Sequence, residues 1–507
     1  MIQQQFAVPG KIDIPLILDS IDFTREYGGQ FAHIEKNKQR YINDHQDKYH
    51  YFLHKIIEAG VFNKTLGPLG FASLSMKTLC QMLGSRYAKE VKDVLLAAGI
   101  IQSDNQYIVG QKSIGYRIHP DWMSRSVLRE VFNPHIMGKK LEQQRVQYQS
   151  QQQADSTWKN LNLIGINKQE ALRHIEEKLN SSLSALLSYD YTLAHITTSK
   201  QLTKKVYEPI FLAYTSNPAL YSLMIIHLLR KATSHKQSEG LNALQLVKAS
   251  LLSQYEADRM AIEKIAKGDF FLEQPDKTSR IFTNISNLSS DLRQFLFHQQ
   301  SESRLINLDI RNSQPYIFSL LLADAYRGEE LPADVQEYIR LTSSGTFYNV
   351  LMDDLGYPQE QRSAFKVKFF ASIFFCKSEH SAGQPFGRYF AQRFPNVYKQ
   401  VEHHKERDYS DLAILMQRRE ASVILGKISA KLTASGIFHA TIHDSVVVLE
   451  EHTEKVRKMM MDGFRDEIGT SPTIESDLLS TSLDCVKSNE WIIDQLFGET
   501  MGSEIAW

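Results

Sequence analysis

The stretch Thr441 to Val448, Thr-Ile-His-Asp-Ser-Val-Val-Val, constrains this chain more than any other. A β-rich apolar run is broken by His443-Asp444-Ser445 and then resumes in valines. An unpaired charge buried within a strand is costly. The break therefore fits either the polar turn of a plain two-strand hairpin or a hairpin tip that presents a carboxylate to a metal ion. A second place of the same kind favours the latter. Leu305-Ile306-Asn307-Leu308-Asp309 is also an apolar strand ending in an aspartate, and Ile310-Arg311-Asn312-Ser313-Gln314-Pro315 follows it.

Two strand-borne aspartates are the minimum for two-metal phosphoryl transfer, in which ions about 3.5–4 Å apart activate the attacking hydroxyl and stabilise the leaving oxygen. Mg²⁺ suits such a site, because it takes hard oxygen ligands and often needs only one or two protein carboxylates besides substrate phosphates. Between the aspartates lies a third element. Arg362, Lys366, Phe370 and Phe374 recur at spacings of four, which on a helix makes one slowly drifting stripe of two cations and two rings. Cations suit a triphosphate and a ring suits a base. Gly356 and Pro358 suit a helix start. Phe365-Val367-Phe369-Ala371 also alternates as a strand would, so periodicity leaves helix and strand both open, and the aromatics also suit a plain core.

In this order the elements resemble motifs A, B and C of the family A DNA polymerases and the related single-subunit phage-type RNA polymerases. Thr278-Ser279-Arg280 with Asn287-Leu288 is similar to the family A Thr-Gly-Arg segment, and Met416-Gln417-Arg-Arg-Glu-Ala421-Ser422 to its Met-Gln-Gly-Thr-Ala-Ala-Asp. The resemblance covers roughly residues 275–470 and implies a role for each matching residue. Asp309 and Asp444 would bind metal, with the Ile310 carbonyl as a further ligand. Arg362 and Lys366 would hold the triphosphate, and Phe370 and Phe374 would face the nucleotide. Arg280, His443 and Gln417 would lie along the primer–template. The departures are specific. Gln314 stands where a glutamate blocks the ribose 2′-hydroxyl, Phe374 replaces a tyrosine, Phe375 a glycine, and Ser445 the glutamate of His-Asp-Glu. His-Asp-Ser is the phage-type RNA polymerase spelling.

At 507 residues the chain exceeds one core, so two to four domains are expected. The formal net charge is zero, which neither demands nor excludes nucleic acid. The cysteines, Cys80, Cys376 and Cys485, are too scattered for a zinc site or a disulfide framework, and a reducing cytoplasm is expected. No signal-peptide pattern and no membrane-spanning run is seen. Within residues 65–120, two short helices, the second ending at Gly99, precede a hairpin carrying Lys112, Tyr116 and Arg117. That order looks like a winged helix, a fold used about equally for DNA and for protein partners. A glutamine-rich stretch from Glu142 to Ser156 marks a boundary. The basic residues Lys200, Lys204, Lys205, Arg230, Lys231 and Lys236 suit either a backbone-tracking surface or a solvated face. No Walker loop and no acidic pair for a proofreading exonuclease stands out.

The expected class is α+β: a right-hand polymerase with an antiparallel palm sheet and helical fingers and thumb, plus an N-terminal winged-helix-like domain. The expected divisions are 1–140 with the winged-helix-like unit, 141–274 thumb, 275–325 palm, 326–435 fingers and 436–507 palm. The expected activity is that of a DNA polymerase in replication, using two Mg²⁺ ions (Mn²⁺ as an alternative), nucleoside triphosphates and a DNA primer–template. A single-subunit RNA polymerase or primase-like enzyme is the alternative. The rival from another class is a DNA-binding replication initiator whose palm is degenerate.

Overall fold

The computed structural model describes residues 5–62, 70–107, 113–133, 137–141, 143, 156–187, 190–197 and 241–479. Lys112, Cys485 and the six basic residues from Lys200 to Lys236 lie outside these, as does most of the glutamine-rich stretch. The fold is α+β. The chain divides into two compact units, residues 1–154 with 168–264, and residues 155–167 with 265–507. No described helix is long and apolar enough to cross a membrane.

In the first unit, β1 (Gln5–Pro9) leads to the long helix α1 (Lys38–Phe62). Then come β2 (Ala72–Ser73), α2 (Met76–Leu83), α3 (Ser85–Ala97), β3 (Ile101–Ser103) and β4 (Gly115–Ile118). The last strand of the region, β5 (Ser126–Glu130), pairs back with β1. Ser75 caps α2 by accepting from the Thr78 amide. Gly99 closes α3 at φ +64°, and the Ile100 amide donates to the Leu95 carbonyl at 3.0 Å, the bond a left-handed closing residue permits. The short strands form an antiparallel sheet in the order β2-β4-β3. This element set shares its core with α1. The Tyr41 hydroxyl donates to Glu90 of α3 at 2.7 Å, and the Phe52 and Tyr116 rings meet edge to face. The described residues of 70–118 thus pack in one body with α1. Two further helices of this unit, α4 (Lys168–Leu187) and α5 (Ala243–Ala266), bury Leu179 and Leu186 against Leu246 and Leu251.

The second unit is built on a four-stranded antiparallel sheet. Its strands are β6 (Leu305–Ile310), β7 (His439–Ile442), β8 (Ser445–Leu449) and β9 (Ile474–Leu478), in the order β7-β8-β6-β9. Pairing of Ile442 with Ser445 leaves His443-Asp444 as a two-residue turn, and His443 takes the positive φ (+57°) such turns require. From β6 the chain passes through Asn312, at φ +57°, into α6 (Ser313–Ala325). Pro315 to Leu322 of that helix are all buried, so it is the central post of the unit. Around it stand α7 (Ala333–Ser343), α8 (Phe347–Asp354), α9 (Arg362–Phe369), α10 (Asp411–Val423) and α11 (Thr453–Ile468). Helix α11 buries Val456, Met460 and Phe464, with Met459 partly covered, the apolar stripe its sequence carries.

Candidate functional site

The sheet register brings the two sequence-selected aspartates together. Asp309 is the penultimate residue of β6, Leu308 pairs with Val446 of β8, and Asp444 occupies the turn of the β7–β8 hairpin. Burial, and then the negative charge of Asp444, pushes the Asp309 carboxyl well above the ordinary carboxylate range, while Lys366 pulls it down. The Ile310 amide hydrogen-bonds the Asp309 carboxylate, and Ile310 itself is buried in the strand. On the other side of β6, Asp309 pairs directly with Glu475 of β9, which places their side chains on one face. Among the described residues, no group of three or more His, Cys, Asp and Glu side chains is arranged to enclose a metal ion.

The cations come from α9. Arg362 donates to Asn312 Oδ1 at 3.1 Å and to Asn349 Oδ1 at 3.4 Å. Its guanidinium and the Lys366 ammonium lie 5.7 and 5.5 Å from the centre of the same buried ring, Tyr348. Burial first, then the charge of Arg362, lowers the Lys366 pKa, and Asp309 opposes this. Lys366 therefore senses both its neighbouring cation and the carboxylate on the sheet. The segment is helical, which decides between the two periodicities its sequence allows.

Phe374 requires a correction. It was expected to face a nucleotide, but it is wholly buried against Phe318 and Phe369. The cause is a change of helical period. Residues Phe370–Phe374 form a π-helical turn, and the Phe375 amide donates five residues back, to the Phe370 carbonyl at 2.8 Å. The wider turn rotates Phe374 into the core and brings Phe375 over Phe370. Those two rings stack at 5.1 Å and 12°, with Phe375 37% exposed. The buried Lys405 donates its ammonium to the Ile373 carbonyl within this turn.

Arg280 and Gln314 meet at a residue not selected from the sequence. Glu420 of α10 is fully buried and accepts from Arg280 Nε at 2.8 Å, Arg280 Nη2 at 2.6 Å and Gln314 Nε2 at 2.9 Å. Burial raises the Glu420 pKa to about 7 against the pull of Arg280, and Asp444 adds to the rise. Arg280, expected along a primer–template, is here committed to this ion pair, and Gln314 spends its amide group on the same carboxylate. A signal for Glu420 was present. It falls four residues after Met416 and eight after Leu412, on the buried stripe of α10, where a carboxylate must have a partner. His443 packs its ring edge-on to Phe282 at 5.8 Å, and Gln417 is half-buried on α10 one turn before Glu420.

No protein-family model matches the chain. A search of curated proteins likewise finds no match. Among solved structures, the chain is similar to the POL domain of Pol1 from M. smegmatis, solved with DNA primer–template and dNTP. The two are 11% identical, with 70% of this chain and 74% of that one covered, at a TM-score of 0.32.

Proposed function

We propose that this chain is a template-directed nucleotidyltransferase that extends a DNA primer, with β6 to β9 as the palm sheet and α9 on the fingers. The observation that carries the reading is the convergence of Asp309, Asp444, Lys366 and Arg362, drawn from three separate stretches of sequence. Two carboxylates on the sheet, held close enough for one to raise the pKa of the other, form a hard-oxygen donor set. That set fits Mg²⁺, which keeps waters and substrate phosphates among its ligands, and does not fit an all-protein cage. Asp309 and Asp444, with the Ile310 carbonyl, would hold the ions. Bound there, Mg²⁺ would activate the primer hydroxyl and stabilise the leaving pyrophosphate oxygen. The protein contributes position and charge: Lys366 and Arg362 neutralise the triphosphate, and the Phe370–Phe375 stack offers a flat apolar face to a base.

A second reading concerns the sugar. Gln314 turns its Nε2 to the Glu420 carboxyl and so keeps its carbonyl oxygen as an acceptor. An acceptor at that place suits a ribose 2′-hydroxyl. With Ser445, this favours a single-subunit RNA polymerase over the DNA polymerase that the Arg280 segment suggests. We further read β2, α2, α3, β3 and β4 packed on α1 as a winged helix, on the support of the sheet order β2-β4-β3 with both short helices inserted after β2. Its proposed partner is duplex DNA. A primed DNA template offered dNTPs or NTPs separately, with Mg²⁺, tests the activity and separates the two sugar readings. Extension with dNTPs supports the DNA polymerase, preference for NTPs supports the RNA polymerase, and extension with neither removes both.

A further inference from the structure

The residue two places after Asp309 has no assigned role, and its surroundings are those of an anion site. Arg311 continues the β6–β9 ladder, its amide donating to the Thr473 carbonyl at 3.0 Å. Alternation along a strand then puts its side chain on the face that carries Asp309. Its stem runs over Gly345, which sits at φ +73°, where a Cβ would come within 2.6 Å of Arg311 Cδ. At that positive φ a side chain is strained, and the missing Cβ leaves room for the Arg311 stem. The charge of Arg311 lowers the Arg362 pKa, second only to burial, and it also acts on Lys366.

Three cations gathered from two elements repel one another, and the negative charges that act on them are Glu475, on all three, and Asp309, on Lys366. Arg362 is answered only by the neutral carbonyl oxygens of Asn312 and Asn349 among its hydrogen bonds. Arg311 has an ion pair with Glu475 at 3.2 Å, but the two side chains are 35% and 48% exposed. A pair so open to water is held weakly and exchanges readily. A third observation points the same way. Asn312 is buried beside Arg362, and its Nδ2 makes no hydrogen bond, leaving a donor with nothing to donate to.

We propose that Arg311 is a third triphosphate-binding cation, which leaves Glu475 to engage the substrate's phosphate oxygens together with Arg362, Lys366 and the Asn312 amide. This rests on the nucleotidyltransferase reading for its substrate, but the anion site can be tested apart from it. The ligand class is a polyphosphate, whether free or carried by a nucleotide.

The test uses the full chain with inorganic tripolyphosphate and Mg²⁺ in a calorimeter, beside nucleotide KM and primer–template Kd from extension assays. Arg311→Ala is expected to weaken tripolyphosphate binding about tenfold or more and to raise nucleotide KM by a similar factor, with primer–template Kd unchanged. Arg311→Lys keeps the charge and should recover part of the loss. Glu475→Gln releases Arg311 and should tighten tripolyphosphate binding. The proposal is overturned if Arg311→Ala binds tripolyphosphate like the wild type, or if Glu475→Gln weakens it as much as Arg311→Ala, which would make the pair purely structural. Should the wild type bind tripolyphosphate through Arg311 yet extend no primer, the anion site stands and the polymerase reading falls. Should it extend a primer with KM indifferent to Arg311, the proposal falls alone.

Discussion

A carboxylate without solvent dominates at the scale of single residues. Glu420 is buried with Arg280, whose side chain is only 16% exposed. Removing one member of such a pair leaves the other charge stranded, so Glu420→Ala should destabilise the protein by about 3–5 kcal/mol in denaturant unfolding. Its pH dependence has a definite sign. The folded pKa, about 7, lies above the ordinary 4.5, so the native state holds the proton more tightly than the unfolded chain. The corresponding stability is fully present below pH 4.5 and is lost as pH rises through 7. Unfolding measured from pH 4 to 8 should therefore show the wild type losing stability relative to Glu420→Gln across that window, and a constant difference would exclude the effect. On the proposed reading Lys366 serves the nucleotide rather than the duplex. Lys366→Ala should raise nucleotide KM about ten- to a hundredfold, the worth of one charge-assisted bond, with little change in primer–template affinity. Equal losses in both would assign it to general duplex binding.

The π turn after α9 decides the element scale. The spacing of four made Phe374 a nucleotide-facing ring, and the wider turn makes it core instead. Phe374→Ala should consequently cost about 3–5 kcal/mol of stability, as for other buried aromatics. Phe375→Ala should cost about 1 kcal/mol or less, and should instead weaken nucleotide use by the about 1–3 kcal/mol typical of a stacked base. Thermal melts and nucleotide KM for the two variants separate these outcomes, and a reversal would mean that the stripe continues without the turn. Sequence could not reveal this change. Within the π turn the Ile373 carbonyl accepts from Lys405, a residue far along the chain, and no local pattern of Phe-Ala-Ser-Ile-Phe announces the wider turn. The hairpin tip was legible, because His443-Asp444 can break a β-run only where the strand turns.

For the whole molecule, the second unit was more legible than the first. Two of its apolar runs carry an aspartate at or just beyond their end, so the strands bearing Asp309 and Asp444 could be anticipated, as could the helix with Val456, Met460 and Phe464 that covers the sheet. The role of Glu475 could not, because Ile-Glu-Ser-Asp-Leu says nothing of which strand it will pair with, and only the register with β6 puts Glu475 opposite Asp309. In the first unit the two short helices and the strands at Ile101 and at Gly115–Ile118 were readable from caps and turns, and β2 was not. Their packing with α1 was not readable either, because it lies in long-range contacts such as Tyr41 with Glu90.

The central claim is that Asp309 and Asp444 act as one metal-binding pair for nucleotidyl transfer. The most direct measurement is single-turnover primer extension by Asp309→Ala and Asp444→Ala at saturating Mg²⁺ and nucleotide, with primer–template affinity and thermal unfolding taken on the same samples. Each side chain is proposed as a ligand, and neither belongs to the apolar core cluster. The account predicts that either substitution lowers the rate by at least about a thousandfold, with duplex affinity and unfolding temperature nearly unchanged. Near-normal turnover by either variant would contradict it.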